Sequence, residues 1–231
     1  MKNAFQFTLA ALLTTSAAYG QNLLLNGNFN LQNVITSSSG GENYGATPDN
    51  WSVWTYDPNN AGVWANRQQD NTYSFDGSFY MGLGNFGGSG AGSGVYQTVP
   101  GSAGLTYDLS VESGAQNWWW PEGEMRIFFL DSSNTVLNES VLNVTTGITA
   151  YGSGLNWQDY SLSATAPSGT SQVKVEFAAN YNPSTGGGGT VFFDNAVLTV
   201  PEPSTLALLA LATSGIALCG RRIFIKARSI D

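Results

Sequence analysis

Thr106-Tyr107-Asp108-Leu109-Ser110-Val111-Glu112 alternates polar and apolar side chains without a break. Successive side chains of a strand point to opposite faces, so a period of two marks a half-buried β-strand. The same period governs Gln172-Val173-Lys174-Val175-Glu176-Phe177. It also governs residues 124–130, where Met125, Ile127 and Phe129 share one face and Arg126 and Phe128 take the other. Residues 191–198 are largely apolar on both faces, the pattern of a closing strand covered on two sides. Further strands are expected at 22–29, 51–56, 73–83, 94–99, 136–144 and 156–162. Glycine- and asparagine-rich turns separate these runs, and helical periodicity is missing before residue 200. Many short strands with turn punctuation predict an all-β, antiparallel β-sandwich over residues 21–199. Aromatic residues make up 13% of the chain, which argues for a packed core rather than a glycine-rich disordered coil.

Composition narrows the chemistry. Over residues 21–200 the basic side chains are Arg67, Arg126 and Lys174 against fourteen carboxylates, a net charge of −11. Such a surface repels phosphate backbones, so nucleic acid is not an expected partner. Divalent cations suit it better. Abundant glycine, asparagine, serine, threonine and aromatic residues suit a neutral, hydroxyl-rich partner such as a glycan, although they suit any secreted β-protein too. The chain has no histidine, which removes Ser-His-Asp and Cys-His catalysis and the usual zinc ligands. Its one cysteine, Cys219, lies outside the sandwich, so no disulfide staples the fold.

Both ends read as addresses. Lys2, the apolar stretch 4–13 and the small residues Ser16, Ala17 and Ala18 form a secretory signal peptide over residues 1–20. Ala18 and Gly20 stand at −3 and −1 of a cut before Gln21, and a cut after Ala18 is nearly as good. At the other end Pro201-Glu202-Pro203 terminates the folded region, because proline neither continues a helix nor donates to a ladder. An uncharged run follows from Leu206 to Cys219, then Arg221, Arg222, Lys226 and Arg228. As a helix, 204–220 rises about 25 Å against a hydrocarbon core of about 30 Å. Snorkelling arginines and slight bilayer thinning cover the difference. A membrane helix with its basic end in the cytoplasm is expected.

This ordered tail, residues 200–231, closely resembles the PEP-CTERM sorting signal of bacterial surface proteins. The resemblance implies an exported cell-envelope protein, anchored at least transiently by its C-terminal helix and processed by an exosortase near Pro201-Glu202-Pro203.

Four phrases in the middle region also carry a resemblance. Asn22-Leu23-Leu24-Leu25-Asn26-Gly27-Asn28-Phe29 opens it, and Pro48-Asp49-Asn50-Trp51 follows. Then come Val95-Tyr96-Gln97-Thr98-Val99-Pro100-Gly101 and Gly189-Thr190-Val191-Phe192-Phe193-Asp194-Asn195. In this order they resemble the galactose-binding-like jelly rolls found among carbohydrate-binding modules. The resemblance implies that Trp51 and Trp157 are core aromatics. It also implies a structural calcium tying the first strand region to the last, with Asn28, Asn30 and Asp194 as candidate ligands. Asn30 stands where the family usually has an acid, and Asp194 alternatively caps a turn. Asp70, Asn71 and Asp76 make a second, sequence-local cluster of oxygen donors.

Trp118-Trp119-Trp120-Pro121-Glu122-Gly123-Glu124 is the most unusual segment of the domain. Three consecutive tryptophans cannot all face the core of a sheet, because strand side chains alternate. Exposed indoles stack on pyranose rings, with Glu122 and Glu124 placed to bind hydroxyls. Alternatively the indoles cap one end of the sandwich. Trp54, Tyr56 and Trp64 form a second candidate platform. Glu122 and Glu124, two residues apart, sit on one side of a strand about 6.5–7 Å apart, a spacing compatible with glycoside hydrolysis, yet no further site residues converge on them. The sequons Asn138-Glu139-Ser140 and Asn143-Val144-Thr145 read as ordinary polar strand residues. The expected role is noncatalytic binding or organisation of extracellular polysaccharide. A structural matrix or adhesion protein with a protein partner, and a glycoside hydrolase or lyase, are the alternatives.

Overall fold

The computed structural model describes residues 20–31, 35–39, 42–45, 47–58, 62–69, 76–86, 88–119, 121–145, 157–184 and 188–201. The strands among them are β1 (Ile35–Ser39), β2 (Glu42–Gly45), β3 (Ser52–Tyr56), β4 (Val63–Gln69), β5 (Tyr80–Asn85) and β6 (Gly92–Pro100). They continue with β7 (Thr106–Trp119), β8 (Glu122–Leu130), β9 (Val136–Asn143), β10 (Gln158–Thr165), β11 (Gln172–Asn180) and β12 (Gly188–Thr199). Two sheets result, in the orders β1-β2-β4-β5-β12-β7-β10 and β3-β6-β11-β8-β9. Every pairing is antiparallel. The expected antiparallel β-sandwich is therefore what the chain builds, and Gln21–Pro201 forms one compact unit.

Alternation explains the core. Leu109 and Val111 of β7, Met125, Ile127 and Phe129 of β8, and Val173, Val175 and Phe177 of β11 are all buried in one cluster. From β12, Val191 and Phe193 join them. Trp51 is 5% exposed, its ring 5.0 Å from Phe29 and 5.9 Å from Phe177, as expected of a core aromatic. Trp157 behaves differently. It is half-buried and packs on Tyr80 and Phe192, at 6.1 and 6.4 Å. Those residues lie on the outer face of the seven-stranded sheet, because their neighbours Met81, Val191 and Phe193 point inward.

Residues 22–29 do not form the expected strand. Asn26 and Phe29 both take φ of +53°, which breaks an extended run. Backbone bonds (Leu23 N to Leu198 O at 2.8 Å, Ala196 N to Gly27 O at 2.9 Å) are joined by side-chain ones: Asn22 Oδ1 accepts from Leu198 N at 2.9 Å, and its Nδ2 donates to Ala196 O at 3.1 Å. The arm seats against a bulge in β12 between Asp194 and Val197, where Asn195 has φ of +51°. Gly27 fits there because an added Cβ would come within 2.1 Å of the Ala196 carbonyl. The strand expected at 73–83 begins at Tyr80 instead, residues 76–79 being bends and coil. β4 has no counterpart among the expectations, and its inward positions are Ala65 and the buried Arg67.

The signal peptide expected at 1–20, all but Gly20, and the sorting tail from Glu202 onward, with Pro203, Arg221 and Arg222, lie outside the described residues. Among the described residues no helix is long and apolar enough to cross a membrane.

Candidate functional site

Register across the five-stranded sheet assembles the site. On its outer face Trp54 of β3 pairs with Gly94 of β6, Gly94 with Ala178 of β11, Ala178 with Glu124 of β8, and Glu124 with Asn143 of β9. The adjacent row runs Tyr56, Gly92, Asn180 and Glu122. Strand spacing makes Trp54 to Glu124 about 14 Å across, long enough for a short oligosaccharide.

The middle of this face is small by necessity. The Trp54 indole lies flat across β6, so a Cβ at Gly94 would stand 2.4 Å from its Nε1, and one at Gly92 would stand 3.2 Å from its ring. Trp54 is half-buried and Tyr56 is 60% exposed. The opposite wall is polar. Glu124 Oε2 accepts from Asn180 Nδ2 at 2.7 Å and from Arg126 Nε at 2.8 Å. Glu122 Oε1 accepts from Asn143 Nδ2 at 3.1 Å. The two cations of this face are already engaged. Arg126 pairs with Glu124 and with Glu176 at 3.3 Å. Lys174 pairs with Glu176 at 3.0 Å and sits 4.0 Å over the Phe128 ring. The face thus offers a flat apolar ring beside amides and carboxylates.

Of the residues singled out in the sequence, the fold brings Trp54, Glu122 and Glu124 together. Trp64 lies elsewhere, on the outer face of the other sheet, because its neighbour Ala65 is the inward one. Trp118 and Trp119 end β7 and the chain then passes to β8 in the other sheet. Their side chains, and the whole of Trp120, lie outside the described residues. Gly92, Gly94, Ala178 and Asn180 were not singled out, and Asn143 was read only as an ordinary polar strand residue of a sequon. Their signal is the Gly92-Ser93-Gly94 alternation, which acquires meaning only once β3 is known to pair with β6.

The candidate metal ligands show one orphan. Asp194 is fully buried, and its Oδ2 has no hydrogen-bond partner among the described residues. Burial pushes its carboxyl up to about 8; the Asn195 amide opposes this, and Asp76 and Glu112 add to it. A buried carboxylate with an unpartnered oxygen fits a hard cation. Among the described residues no three His, Cys, Asp or Glu side chains form a cage by themselves, so remaining donors would be carbonyl or amide oxygens. Asn30 and Asn28 are engaged already: Asn30 Oδ1 accepts from Phe79 N at 3.1 Å, and Asn28 Oδ1 from Asn30 N at 3.4 Å. Asp70 and Asn71 lie outside the described residues.

Comparison with solved structures agrees on the class of fold. The chain is similar to the enzymatically active domain of bacteriophage CBA120 tailspike protein 4, with a TM-score of 0.54 and 16% identity over 78% of this chain. It spans only 21% of that protein. It is also similar to TmCBM61 solved with β-1,4-galactotriose, at 14% identity and a TM-score of 0.45 over 78% of this chain and 99% of that one. A third similar structure is the CBM22-1 xylan-binding domain from Paenibacillus barcinonensis Xyn10C, at 10% identity and a TM-score of 0.46 over 80% and 97% of the two chains. The fold is that of an antiparallel β-sandwich.

More particularly, residues 199–222 match the PEP-CTERM protein-sorting motif. No curated protein sequence matches the chain.

Proposed function

We propose that this is an exported cell-envelope protein whose sandwich binds neutral polysaccharide, without catalysis, on the outer face of the five-stranded sheet. One observation carries the reading: the Trp54 indole lies flat over Gly92 and Gly94, in register with Asn180, Glu122, Glu124 and Asn143. A flat ring bordered by amides and carboxylates complements a pyranose, which has an apolar face and an equatorial girdle of hydroxyls. The absence of an unpaired cation on this face among the described residues, and the acidic surface, favour a neutral glycan over a polyanionic one. Affinity electrophoresis in gels containing xylan, β-glucan or galactan tests this. Retardation that is lost on Trp54→Ala supports it, and hydrolysis abolished by Glu122→Gln points to an enzyme instead.

The sorting motif supports delivery to the envelope, with exosortase-type cleavage near Pro201-Glu202-Pro203 and transient anchoring by the C-terminal helix. Mass spectrometry of the envelope-bound protein tests this by locating its last residue. A structural calcium belongs to the same reading. Asp194 would hold it, and the ion would neutralise this buried carboxylate, which Asp76 and Glu112 act on electrostatically.

A further inference from the structure

We infer that the polar wall of this face reads hydroxyl protons: it takes a polysaccharide whose hydroxyls are free and turns away the same chain when they are O-acetylated or O-methylated. The inference rests on the proposed sugar binding at Trp54 and deepens it.

Two diagonal bonds across β8 set the polarity of the wall. Asn180 of β11 is in register with Glu122, yet its Nδ2 donates to Glu124 Oε2 at 2.7 Å. Asn143 of β9 is in register with Glu124, yet its Nδ2 donates to Glu122 Oε1 at 3.1 Å. Neither amide can turn over. Reversing Asn180 would set its oxygen against the Glu124 carboxylate, which only accepts. Reversing Asn143 would do the same at Glu122, and it would lose the bonds its Oδ1 accepts from Thr145 N and Oγ1, both at 2.9 Å. The Arg126 guanidinium is committed too, donating to the same Glu124 oxygen and to Glu176.

What the wall turns outward is oxygen. Among the described residues Asn180 Oδ1, Glu122 Oε2 and Glu124 Oε1 accept no hydrogen bond. Asn180 Oδ1 leans over the middle of the face, 2.9 Å from where a Gly92 Cβ would stand. These oxygens are open to a ligand. Their residues are half-buried, and the buried orphan polar atoms among the described side chains are the Tyr160 hydroxyl and Asp194 Oδ2 instead.

An acceptor is satisfied only by a donor. A pyranose hydroxyl brings a proton, whereas an ester or ether oxygen on the same carbon brings none and leaves a desolvated acceptor unpaired. A site built to pair a hydroxyl therefore rejects the analogue that lacks it. Stacking on Trp54 depends on ring shape and is blind to this difference. Discrimination thus comes from the wall, with Glu124 as the positioning residue that holds Asn180 Oδ1 outward.

The test titrates the exported protein with xylan, β-glucan and galactan oligosaccharides, each unmodified and O-methylated, and compares acetylated with deacetylated xylan in affinity gels. The unmodified form should bind at least about tenfold more tightly than the modified one. Glu124→Gln keeps an oxygen toward Arg126 and turns an N–H outward, so it should bring that ratio toward one, as should Asn180→Ala. Glu122→Gln does the same beside Asn143 and stands even if Glu124→Gln disturbs the fold. Trp54→Phe should weaken both forms alike and keep the ratio. A ratio near one in the parent, or one that all three wall variants leave unchanged, overturns the inference while binding at Trp54 stands. Binding of the unmodified chain that a chelator abolishes also overturns it, because the outward oxygens would then hold a cation. Failure to bind any unmodified probe overturns the sugar reading, and this inference with it.

Discussion

Trp54 and Gly94 face each other across β3 and β6, and the indole occupies the space a Gly94 side chain would fill. Stability and binding can therefore be separated by residue. Gly94→Val would force the indole off the sheet without opening a cavity in the core. Polysaccharide affinity should fall at least tenfold, about 1.4 kcal/mol, while the melting temperature changes by only a few degrees. Affinity electrophoresis and differential scanning calorimetry measure the two.

Trp51, three residues earlier, should show the reverse. It is buried against Phe29 and Phe177 and donates from Nε1 to Asn26 O at 2.9 Å. Trp51→Ala leaves a cavity and an orphaned carbonyl, with an expected loss of about 3–5 kcal/mol in urea unfolding. Under conditions where the variant remains folded, sugar affinity should stay near that of the parent.

Arg67 holds the N-terminal arm. It is 2% exposed and donates to the carbonyls of Phe29 and Asn30, with its guanidinium 3.2 Å over the Phe79 ring. Burial lowers its pKa to about 10, still well above neutral pH, so the group remains charged. Arg67→Met should cost about 3 kcal/mol by leaving buried carbonyls unpaired. Arg67→Lys should restore little of this, because one ammonium cannot reproduce the fork.

Asp194 links stability to pH and to calcium. Burial pushes its carboxyl up to about 8 in the fold, against 3.8 for an unperturbed aspartate. Between those values the folded chain holds the extra proton, so this group makes stability fall as pH rises from about 4 to about 8 in chelator-treated buffer. Asp194→Asn should flatten that component. Millimolar calcium should raise the melting temperature of the parent by several degrees at pH 8 and less at pH 5, where the proton competes, and should leave Asp194→Asn unmoved. Thermal scans with calcium and with chelator distinguish these outcomes.

Much of the sandwich was legible because β7, β8 and β11 carry one apolar face each, and a period of two admits a single reading. β4 was not, since Val63-Trp64-Ala65-Asn66-Arg67-Gln68-Gln69 sets Ala65 and Arg67 inward, and a buried arginine reads as solvent-exposed until its carbonyl partners are known. Residues 22–29 misled for the opposite reason. Their leucines suit a strand, but the turns at Asn26 and Phe29 break the run, and the hydrogen bonds of Asn22 and Asn26 join its backbone bonds in holding it. At the site, Trp54, Glu122 and Glu124 stood out as residue types. Their convergence depends on strand order β3-β6-β11-β8, a non-local property that no local period encodes.

The central claim is that the outer face of the five-stranded sheet grips a neutral glycan through Trp54. Calorimetric titration of the exported protein and its Trp54→Ala variant with xylan, β-glucan and galactan oligosaccharides tests it most directly. At least one oligosaccharide should bind the parent, and the heat from the site on this sheet should vanish in the variant while its melting temperature holds. Equal binding by parent and variant, or no binding to any of the three, would contradict it.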